Sequence, residues 1–197
     1  MTNNISSTKV MTGIVRFSYA HLLEPYAAQP NQEEKYSVQL LIPKSDTKTL
    51  AKMNAAIEAA KEQGKSSKWG GKVPGNLKVN LRDGDEEKDV DGEDAAYKGM
   101  MFMNVSSKTK PGIVGTQRGA DGKLKALEDE DEIYSGMYGR ASINFFAYNS
   151  NGSKGVSAGL NNIQKTKDGE RLGGSHSKAE DDFDDWEDDT EDDDLLD

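Results

Sequence analysis

The chain contains no cysteine, which excludes disulfide bridges, thiolate metal sites and cysteine nucleophiles together. Histidine is nearly absent as well: His21 and His176 lie far apart in the sequence, and neither suggests a proton relay. No apolar run approaches the ~20 residues of a membrane-spanning helix, and the opening residues lack the apolar core of a signal peptide. We therefore expect a cytoplasmic protein with no membrane contact.

Two stretches resemble ligand-binding motifs but lack their required order. The acidic stretch "DGDEEKDVDGED" (83–94) offers carboxylates, but it does not have the spacing of an EF-hand calcium loop. The stretch "GKSSKWGGK" (64–72) is not a phosphate-binding P-loop. The sequence thus predicts no metal, no cofactor and no enzymatic activity.

Charge is distributed very unevenly along the chain. The net charge is -10, but residues 179–197 alone carry 13 acidic and no basic side chains. The remaining 178 residues hold 25 basic and 22 acidic residues, a net charge of +3. Because the body also contains the acidic stretches 83–94 and 128–132, the rest of its surface is more basic still. The pattern predicts a basic body with an acidic arm.

Strand patterns dominate the body. Residues 10–20 are rich in β-branched and aromatic side chains, with Val15, Phe17 and Tyr19 on one predicted face, and a loop with two prolines follows. A second strand, 36–43, alternates apolar residues inward. Further strands are predicted at 77–82, 99–107, 111–117, 138–148 and 156–164, the last two joined by a hairpin turn at "NSNGSKG".

One helix is predicted after the second strand. Ser45 or Asp46 can cap its N-terminus, an apolar stripe follows at helical spacing, and Gly64 is expected to end it. The stripe consists of Leu50, Met53, Ile57 and Ala60. These elements predict a mostly β protein, an OB-fold-like antiparallel β-barrel over residues 1–174 with a disordered acidic tail at 175–197.

Basic side chains on the polar faces of strands and in loops alternate with aromatic side chains, as a single-stranded nucleic acid site requires. Cations track phosphates, while flat rings stack on unpaired bases of any sequence. The predicted phosphate contacts are Arg16, Lys78, Arg82, Lys108, Lys110, Arg118, Arg140 and Lys154. The predicted stacking residues are Trp69, Phe102, Tyr134 and Tyr138, whereas Phe146 and Tyr148 are left open. The alternative is ordinary solubilising charge with core aromatics.

The acidic tail keeps four large apolar side chains, Phe183, Trp186, Leu195 and Leu196. Such residues within an acidic tract fit a partner that has a basic-rimmed hydrophobic pocket. The tail is also tethered beside a basic body, so it can compete with weakly bound nucleic acid. A purely solubilising role is the alternative.

Three stretches resemble a known family. The stretch "YSGMYGRASINFFAYNSNGSKGVSAGLNNIQKTKDGERLGG" (134–174) is similar to bacteriophage single-stranded DNA-binding proteins long catalogued as a domain of unknown function. The stretches "NVSSKTKPGIV" (104–114) and "GIVRFSYAHLLEPY" (13–26) resemble the same family. The resemblance implies an OB-fold, sequence-tolerant binding of single strands, and an acidic C-terminus that recruits replication enzymes. The chain departs from the bacterial tail pattern, because it ends "DDDLLD" rather than with an aromatic residue.

The sequence thus predicts a single-stranded DNA-binding protein that protects single strands during phage DNA replication, recombination or repair. Its tail is expected to recruit replication or recombination proteins. An acidic adaptor or DNA mimic without DNA binding of its own is the main alternative, and a structural phage protein is a weaker one. A homodimer is left open. If the protein is phage-encoded, the expected compartment is the host cytoplasm.

Overall fold

Strands dominate the structure, which is a computed structural model that describes residues 7–173. Within this range the strands are β1 (Lys9–Met11), β2 (Val15–Tyr26), β3 (Lys35–Pro43), β4 (Lys78–Val79), β5 (Arg82–Asp83), β6 (Met100–Ser107), β7 (Gly112–Arg118), β8 (Leu124–Ala126), β9 (Tyr138–Ser150) and β10 (Ser153–Lys167). The helices are α1 (Thr47–Ser67), the short α2 (Gly84–Glu87) and a 3₁₀ turn (Ala95–Tyr97).

Five of these strands close into a barrel. Strand β2 pairs with β3, β3 with β6, β6 with β10, β10 with β9, and β9 returns to β2. All of these pairings are antiparallel except β6 with β10. This is an OB-fold-like barrel with one main helix, so the predicted fold class is confirmed.

The barrel interior follows the alternation of the strands. Ala141, Ile143 and Phe145 of β9 are buried, and the side chains between them point outward, as predicted. Helix α1 packs on β9 and β1 and buries Met53 and Ile57 against this core. These residues place the hydrophobic core between the helix and the barrel.

The two ends of α1 differ in how well the sequence predicts them. The Asp46 carboxylate accepts a hydrogen bond from the Thr49 backbone N–H at 3.1 Å, which confirms one of the two predicted caps. The expected end at Gly64 is wrong, because the helix continues to Ser67. Gly64 is buried in close contact with Trp69 and Ala147, so its missing side chain serves packing rather than termination.

Several strand boundaries differ from the sequence pattern. The stretch 10–20 breaks between β1 and β2, and β2 then continues through the predicted loop as far as Tyr26. Pro25 is accommodated near the end of β2, where the pairing with β3 is irregular. The predicted strand 77–82 splits into β4 and β5 because its two ends pair with different strands, β10 and β6. Strand β8 has no strong sequence pattern and was not predicted.

The acidic stretch 83–94 folds onto the barrel together with the residues that follow it. Tyr97 packs with Leu41 and Phe102 in a second, smaller apolar cluster on the outer face of β3 and β6. Lys44 anchors the start of the stretch, with its Nζ 2.6 Å from Asp83 and 2.7 Å from Asp85. Hydrogen bonds from Lys44 lower the pKa of both carboxyls. The stretch therefore covers one end of the outer barrel face.

The predicted acidic tail, including Phe183, Trp186, Leu195 and Leu196, lies outside the described residues. Within residues 7–173, no helix has the combination of length and apolar character that crossing a bilayer requires.

Candidate nucleic-acid interface

An open cleft of about 540 Å³ lies on the outer face of β2, β3 and β6. Three aromatic rings from β2, those of Tyr19, His21 and Tyr26, line one side of it. Lys35 of β3 contributes a cation, and Ser106 of β6 a hydroxyl. The cleft thus combines flat rings with one lysine on the outside of the barrel, and Glu33 in its lining balances the charge of that lysine.

This cleft continues in both directions. A second cleft of about 480 Å³ shares Tyr19 and His21 with it and reaches Leu172 and Gly173. A third cleft of about 530 Å³ shares Lys35 and Ser106 and extends over β4 and β5 to the outer side of β9 and β10. We call the three clefts together the groove, because neighbouring clefts share lining residues. Basic side chains line the central and third clefts, whereas the charged residues of the second are Glu93 and Asp94.

A β-bulge places Tyr19 in the groove. Ser18 pairs with Gln39 and His21 with Ser37, so β2 contains one residue more than β3 between these pairs. Tyr19 has a φ of 46°, and 64% of its surface is exposed. The pattern-based expectation that Tyr19 shares the buried face of Val15 and Phe17 is wrong, because the extra residue reverses the alternation at this point.

Two neighbouring rings form a stack beside Tyr19. The centroids of His21 and Tyr26 are 4.1 Å apart, and their planes are inclined by 10°. Burial lowers the pKa of His21 from its ordinary value of 6.5. This wall of the groove is therefore flat, aromatic and uncharged at neutral pH.

A chain of hydrogen bonds runs beneath the groove. The hydroxyl of Tyr97 donates to Gln39 Oε1, and Gln39 Nε2 donates to Asn104 Oδ1 at 3.0 Å. Asn80 Nδ2 donates to the backbone oxygen of Asn104 at 3.0 Å. Burial raises the pKa of Tyr97 to about 12, so its hydroxyl remains a donor at any physiological pH. These bonds connect β3, β6 and the 3₁₀ turn and hold the floor of the groove in place.

The lysines of the groove are available to a ligand. Lys35 and Lys78 line it, and neither has a side-chain hydrogen bond or ion pair within residues 7–173. Arg82 also lines it, but its Nε donates to Glu87 Oε2 at 2.6 Å and its guanidinium lies over the ring of Phe102. Lys78 and Arg82 are thus two predicted phosphate contacts that the structure brings together.

Three other predicted residues lie together in a different place, which we call the cation–π cluster. The guanidinium of Arg16 lies 5.4 Å from the Tyr138 ring centroid, and that of Arg171 lies 4.4 Å from the Tyr134 ring centroid. Lys165 and Lys167 complete the cluster at 5.2 Å and 4.7 Å from Tyr134 and Tyr138 respectively. Cations of the protein itself therefore already lie over the rings of Tyr134 and Tyr138, two of the four predicted stacking residues.

The cluster fastens the end of the described chain. Arg16 donates to the backbone oxygens of Gly136 at 3.3 Å and Glu170 at 2.7 Å, and the Tyr134 hydroxyl donates to Asp168 at 2.8 Å. Burial alone would lower the pKa of Lys165, but hydrogen bonds to Asp168 and Glu132 outweigh it and raise the pKa. The cations of this cluster have partners within the fold.

The remaining predicted cations fall into two groups. Arg140 donates to the backbone oxygen of Thr12 at 3.1 Å, and Arg118 donates to that of Gly122 at 2.6 Å, so each supports its own local structure. Lys108 forms an exposed ion pair with Glu33 at 2.9 Å. Lys110 and Lys154 have no side-chain partner among residues 7–173.

Two of the predicted stacking residues are buried, which corrects that expectation. Trp69 is 7% exposed, and its Nε1 donates to the backbone oxygen of Tyr148 at 3.1 Å. Phe102 is 1% exposed, because Tyr97 packs edge-on against it at 5.2 Å. Neither ring presents a face to a base.

Sequence reasoning missed the three aromatic residues of β2 and the lysine of β3 that line the central cleft. These are Tyr19, His21, Tyr26 and Lys35. The two prolines of the stretch 22–34 predict a loop there, and no local pattern marks the bulge. The alternation in β9 did indicate Phe146, which is 45% exposed and lines the groove together with Tyr148.

An OB-fold-like barrel with an open groove of cations and exposed rings defines a class of protein suited to extended, single-stranded polyanions. The comparisons give the family. The chain belongs to the family described as the ssDNA-binding protein of Enterobacter phage Enc34, whose model matches residues 8–196. The match therefore extends through the acidic tail.

Individual relatives agree with this assignment. Protein p50 of Acyrthosiphon pisum secondary endosymbiont phage 1 is 32% identical over 187 residues, which is 90% of this chain and 93% of that protein. The single-stranded DNA-binding protein of bacteriophage Enc34, solved in complex with ssDNA, matches with a TM-score of 0.68 and 27% identity. That match covers 84% of this chain and 90% of the other.

A more distant structure shares the fold. The single-stranded DNA-binding protein gp2.5 of bacteriophage T7 matches with a TM-score of 0.56 and 14% identity, over 85% of this chain and 90% of the other.

Proposed function

We propose that the chain binds single-stranded DNA along the groove, without sequence preference, and protects it during phage DNA replication, recombination or repair. The observation that carries the proposal is that the three clefts adjoin one another, through shared lining residues, across β2, β3, β6 and β10. The cations of the central and third clefts offer contacts to phosphates, and the rings offer surfaces to bases of any kind. The solved Enc34 relative, described as a complex with ssDNA, supports the same assignment.

The residues proposed to neutralise phosphates are cations that have no partner within residues 7–173 or only an exposed ion pair, as Lys108 has with Glu33. Lys78 and Lys35 line the groove, and Lys108, Lys110 and Lys154 add charge in the loops and strand ends nearby. Arg82 contributes once its exposed pair with Glu87 exchanges for a phosphate, because such exposed pairs contribute little. Arg16, Arg118 and Arg140 contribute to the positive potential rather than to direct contacts, since backbone oxygens already occupy their guanidinium groups.

We further propose that the acidic tail regulates the groove and recruits replication or recombination proteins. The described chain ends at Gly173, in the cleft that is lined by Glu93 and Asp94 and by no lysine or arginine. The tail would therefore have to reach past this end of the groove to compete for Lys35, Lys78 and Arg82. A tethered competitor acts at high effective concentration. Phe183, Trp186, Leu195 and Leu196 then supply the apolar contacts to a partner protein.

Binding of oligo-dT and of a duplex of equal length, measured over a series of salt concentrations, tests the first proposal. We expect a preference for the single strand and an affinity that falls steeply with salt. An oligo-dT affinity independent of salt would contradict the phosphate contacts. Absence of any oligo-dT binding would favour the acidic adaptor or DNA mimic.

Deletion of 179–197 tests the tail separately. We expect the truncated protein to bind oligo-dT more tightly than the full chain at low salt, with the difference vanishing as salt screens the attraction. It should also lose recruitment of partner enzymes. Equal affinities at low salt would reject competition by the tail and leave the groove assignment intact.

A further inference from the structure

Tyr19 combines a disfavoured backbone conformation with an exposed ring. Its φ of 46° lies in the left-handed region, which side chains with a Cβ rarely adopt. Its ring is 64% exposed, the highest value among the large apolar residues of the described range. A residue of this kind stores strain, and such strain concentrates at functional sites.

The fold itself does not need this ring. Tyr19 is not part of the barrel core, whereas Val15, Phe17 and Leu22 in the same strand are fully buried there. Its one noted polar neighbour is the hydroxyl of Tyr97, which has Gln39 as a second partner. Glycine would adopt the same φ without strain, so the backbone gives no reason for tyrosine here.

The position of the ring suggests what it does. Tyr19 lines both the central cleft and the cleft that leads to Gly173, so any strand that follows the groove passes over it. The nearby His21 and Tyr26 stack on each other, and each therefore has one face covered. Tyr26 is 50% exposed and Tyr19 is 64% exposed, so Tyr19 is the more accessible of the two tyrosines in this part of the groove.

We propose that Tyr19 is a base-stacking residue of the groove and that the β-bulge in β2 serves to hold its ring there. The inference rests on the proposed binding of single strands and adds a specific contact to it. An aromatic face stacks on any base, which fits binding without sequence preference. The bulge turns the ring away from the core, where the regular alternation of β2 would have placed it.

The test compares three variants of the full-length chain, Tyr19→Phe, Tyr19→Ala and Tyr19→Gly. Each is titrated with oligo-dT and with a fully abasic oligomer of equal length, which keeps the phosphates and removes the bases. We expect Tyr19→Phe to bind oligo-dT like the unmodified chain. Tyr19→Ala and Tyr19→Gly should both lose roughly fivefold or more in oligo-dT affinity, the lower end of what stacking on one base contributes. Their affinity for the abasic oligomer should not change.

Thermal unfolding gives an independent readout. Alanine keeps the strain at φ 46° and glycine relieves it, so Tyr19→Gly should melt about 2 to 4 °C above Tyr19→Ala. The oligo-dT affinity would then depend on whether residue 19 has an aromatic ring, while the melting temperature would depend on the backbone strain at this residue. A ring needed only for folding would instead make affinity and melting temperature change together.

The outcomes separate this inference from the proposed function. If the unmodified chain binds oligo-dT but Tyr19→Ala binds it equally well, stacking by Tyr19 is rejected and the groove assignment stands. The same holds if Tyr19→Phe is as weak as Tyr19→Ala, or if the unmodified chain binds oligo-dT and the abasic oligomer alike. If the unmodified chain binds neither oligomer, the proposed function and this inference both fall.

Discussion

The groove and the cation–π cluster are made of the same kinds of residue, yet their side chains are engaged in opposite ways. In the cluster, Arg16 and Lys165 bind backbone oxygens and carboxylates and lie over tyrosine rings. In the groove, Lys35 and Lys78 have no such partner among residues 7–173, and Tyr19 is exposed. The residue types alone therefore do not distinguish a ligand-binding surface from a cluster that stabilises the fold.

The groove and the cluster differ in whether their cations already have hydrogen-bond and ion-pair partners. A cation that already has carboxylate and carbonyl partners must lose them to bind a phosphate, so the net gain is small. A solvated lysine beside an open cleft gains a phosphate and releases counterions. The comparison therefore predicts that groove variants change affinity, whereas cluster variants change stability.

The largest effect is expected for the double variant Lys35→Gln, Lys78→Gln. Each single-strand phosphate contact adds about 0.7 to the slope of log affinity against log salt, so two lost contacts reduce the slope by about 1.4. If the variant and the unmodified chain bind equally at 1 M salt, this change in slope makes the variant weaker on the order of 50- to 100-fold at 50 mM salt. Oligo-dT titrations between these salt concentrations measure both quantities.

The double variant Lys48→Gln, Lys52→Gln is the matched control for charge. Both lysines are exposed on α1, which packs on β9 and β1 and does not line the groove. The control should keep nearly the full affinity and slope, and both double variants should unfold at the same urea concentration as the unmodified chain. Equal losses in the two double variants would mean that net charge, rather than the groove, determines binding.

The next effect concerns stability and should appear in the cluster. Arg16→Ala removes hydrogen bonds to Gly136 and Glu170 and the contact with Tyr138. We expect the free energy of unfolding to fall by about 1.5 to 3 kcal/mol, as for hydrogen bonds to a charged group. Urea unfolding should show a lower midpoint with an unchanged slope.

Lys167→Ala is the control for the contact with Tyr138 alone. Within residues 7–173 the Lys167 side chain lies over the Tyr138 ring but has no hydrogen bond or ion pair. Its loss of stability should stay below about 1 kcal/mol. Both variants should bind oligo-dT with almost unchanged affinity. If Arg16→Ala lost much of its oligo-dT affinity while keeping its full stability, Arg16 would be a DNA contact, as the sequence predicted.

Local sequence patterns correctly predicted those elements whose structure depends on residues close by in the sequence. The alternation in β9 correctly separates Ile143 and Phe145 from Asn144 and Phe146, because one face of the strand meets the core along its whole length. The N-terminal cap at Asp46 was predictable for the same reason, since it depends on residues within one turn.

The site was less predictable because contacts distant in sequence decide it. Phe102 lies on the outer face of its strand, but the stretch ending at Tyr97 folds over it and removes it from the predicted stacking set. Arg16 is occupied by residues 120 and 154 positions away. The bulge at Tyr19 depends on the register of β2 against β3, which no single strand pattern encodes.

The smallest predicted effect sharpens the comparison within the groove itself, because its aromatic wall contains one titratable ring. Burial lowers the pKa of His21 below 6.5, so the folded state binds this proton less readily than the unfolded state. The associated stability is complete above pH 6.5 and declines as the pH falls below that value. A phosphate in the groove favours the imidazolium, so DNA binding should take up a proton and tighten at lower pH.

The measurement compares the unmodified chain with His21→Phe, which keeps a ring beside Tyr26 but does not titrate. Between pH 7.5 and pH 5.5 at constant ionic strength, the unmodified chain should gain roughly two- to fivefold more oligo-dT affinity than the variant, the size of one exposed ion pair. The other charged groups that face this ring are Glu33 and Lys35 in the same cleft and Glu93 and Asp94 beyond Tyr19. They are present in both proteins and cancel in the comparison, as does His176. Identical pH dependence in the two proteins would place the phosphates away from His21, and the path of the strand would then run between Lys35 and Phe146 instead.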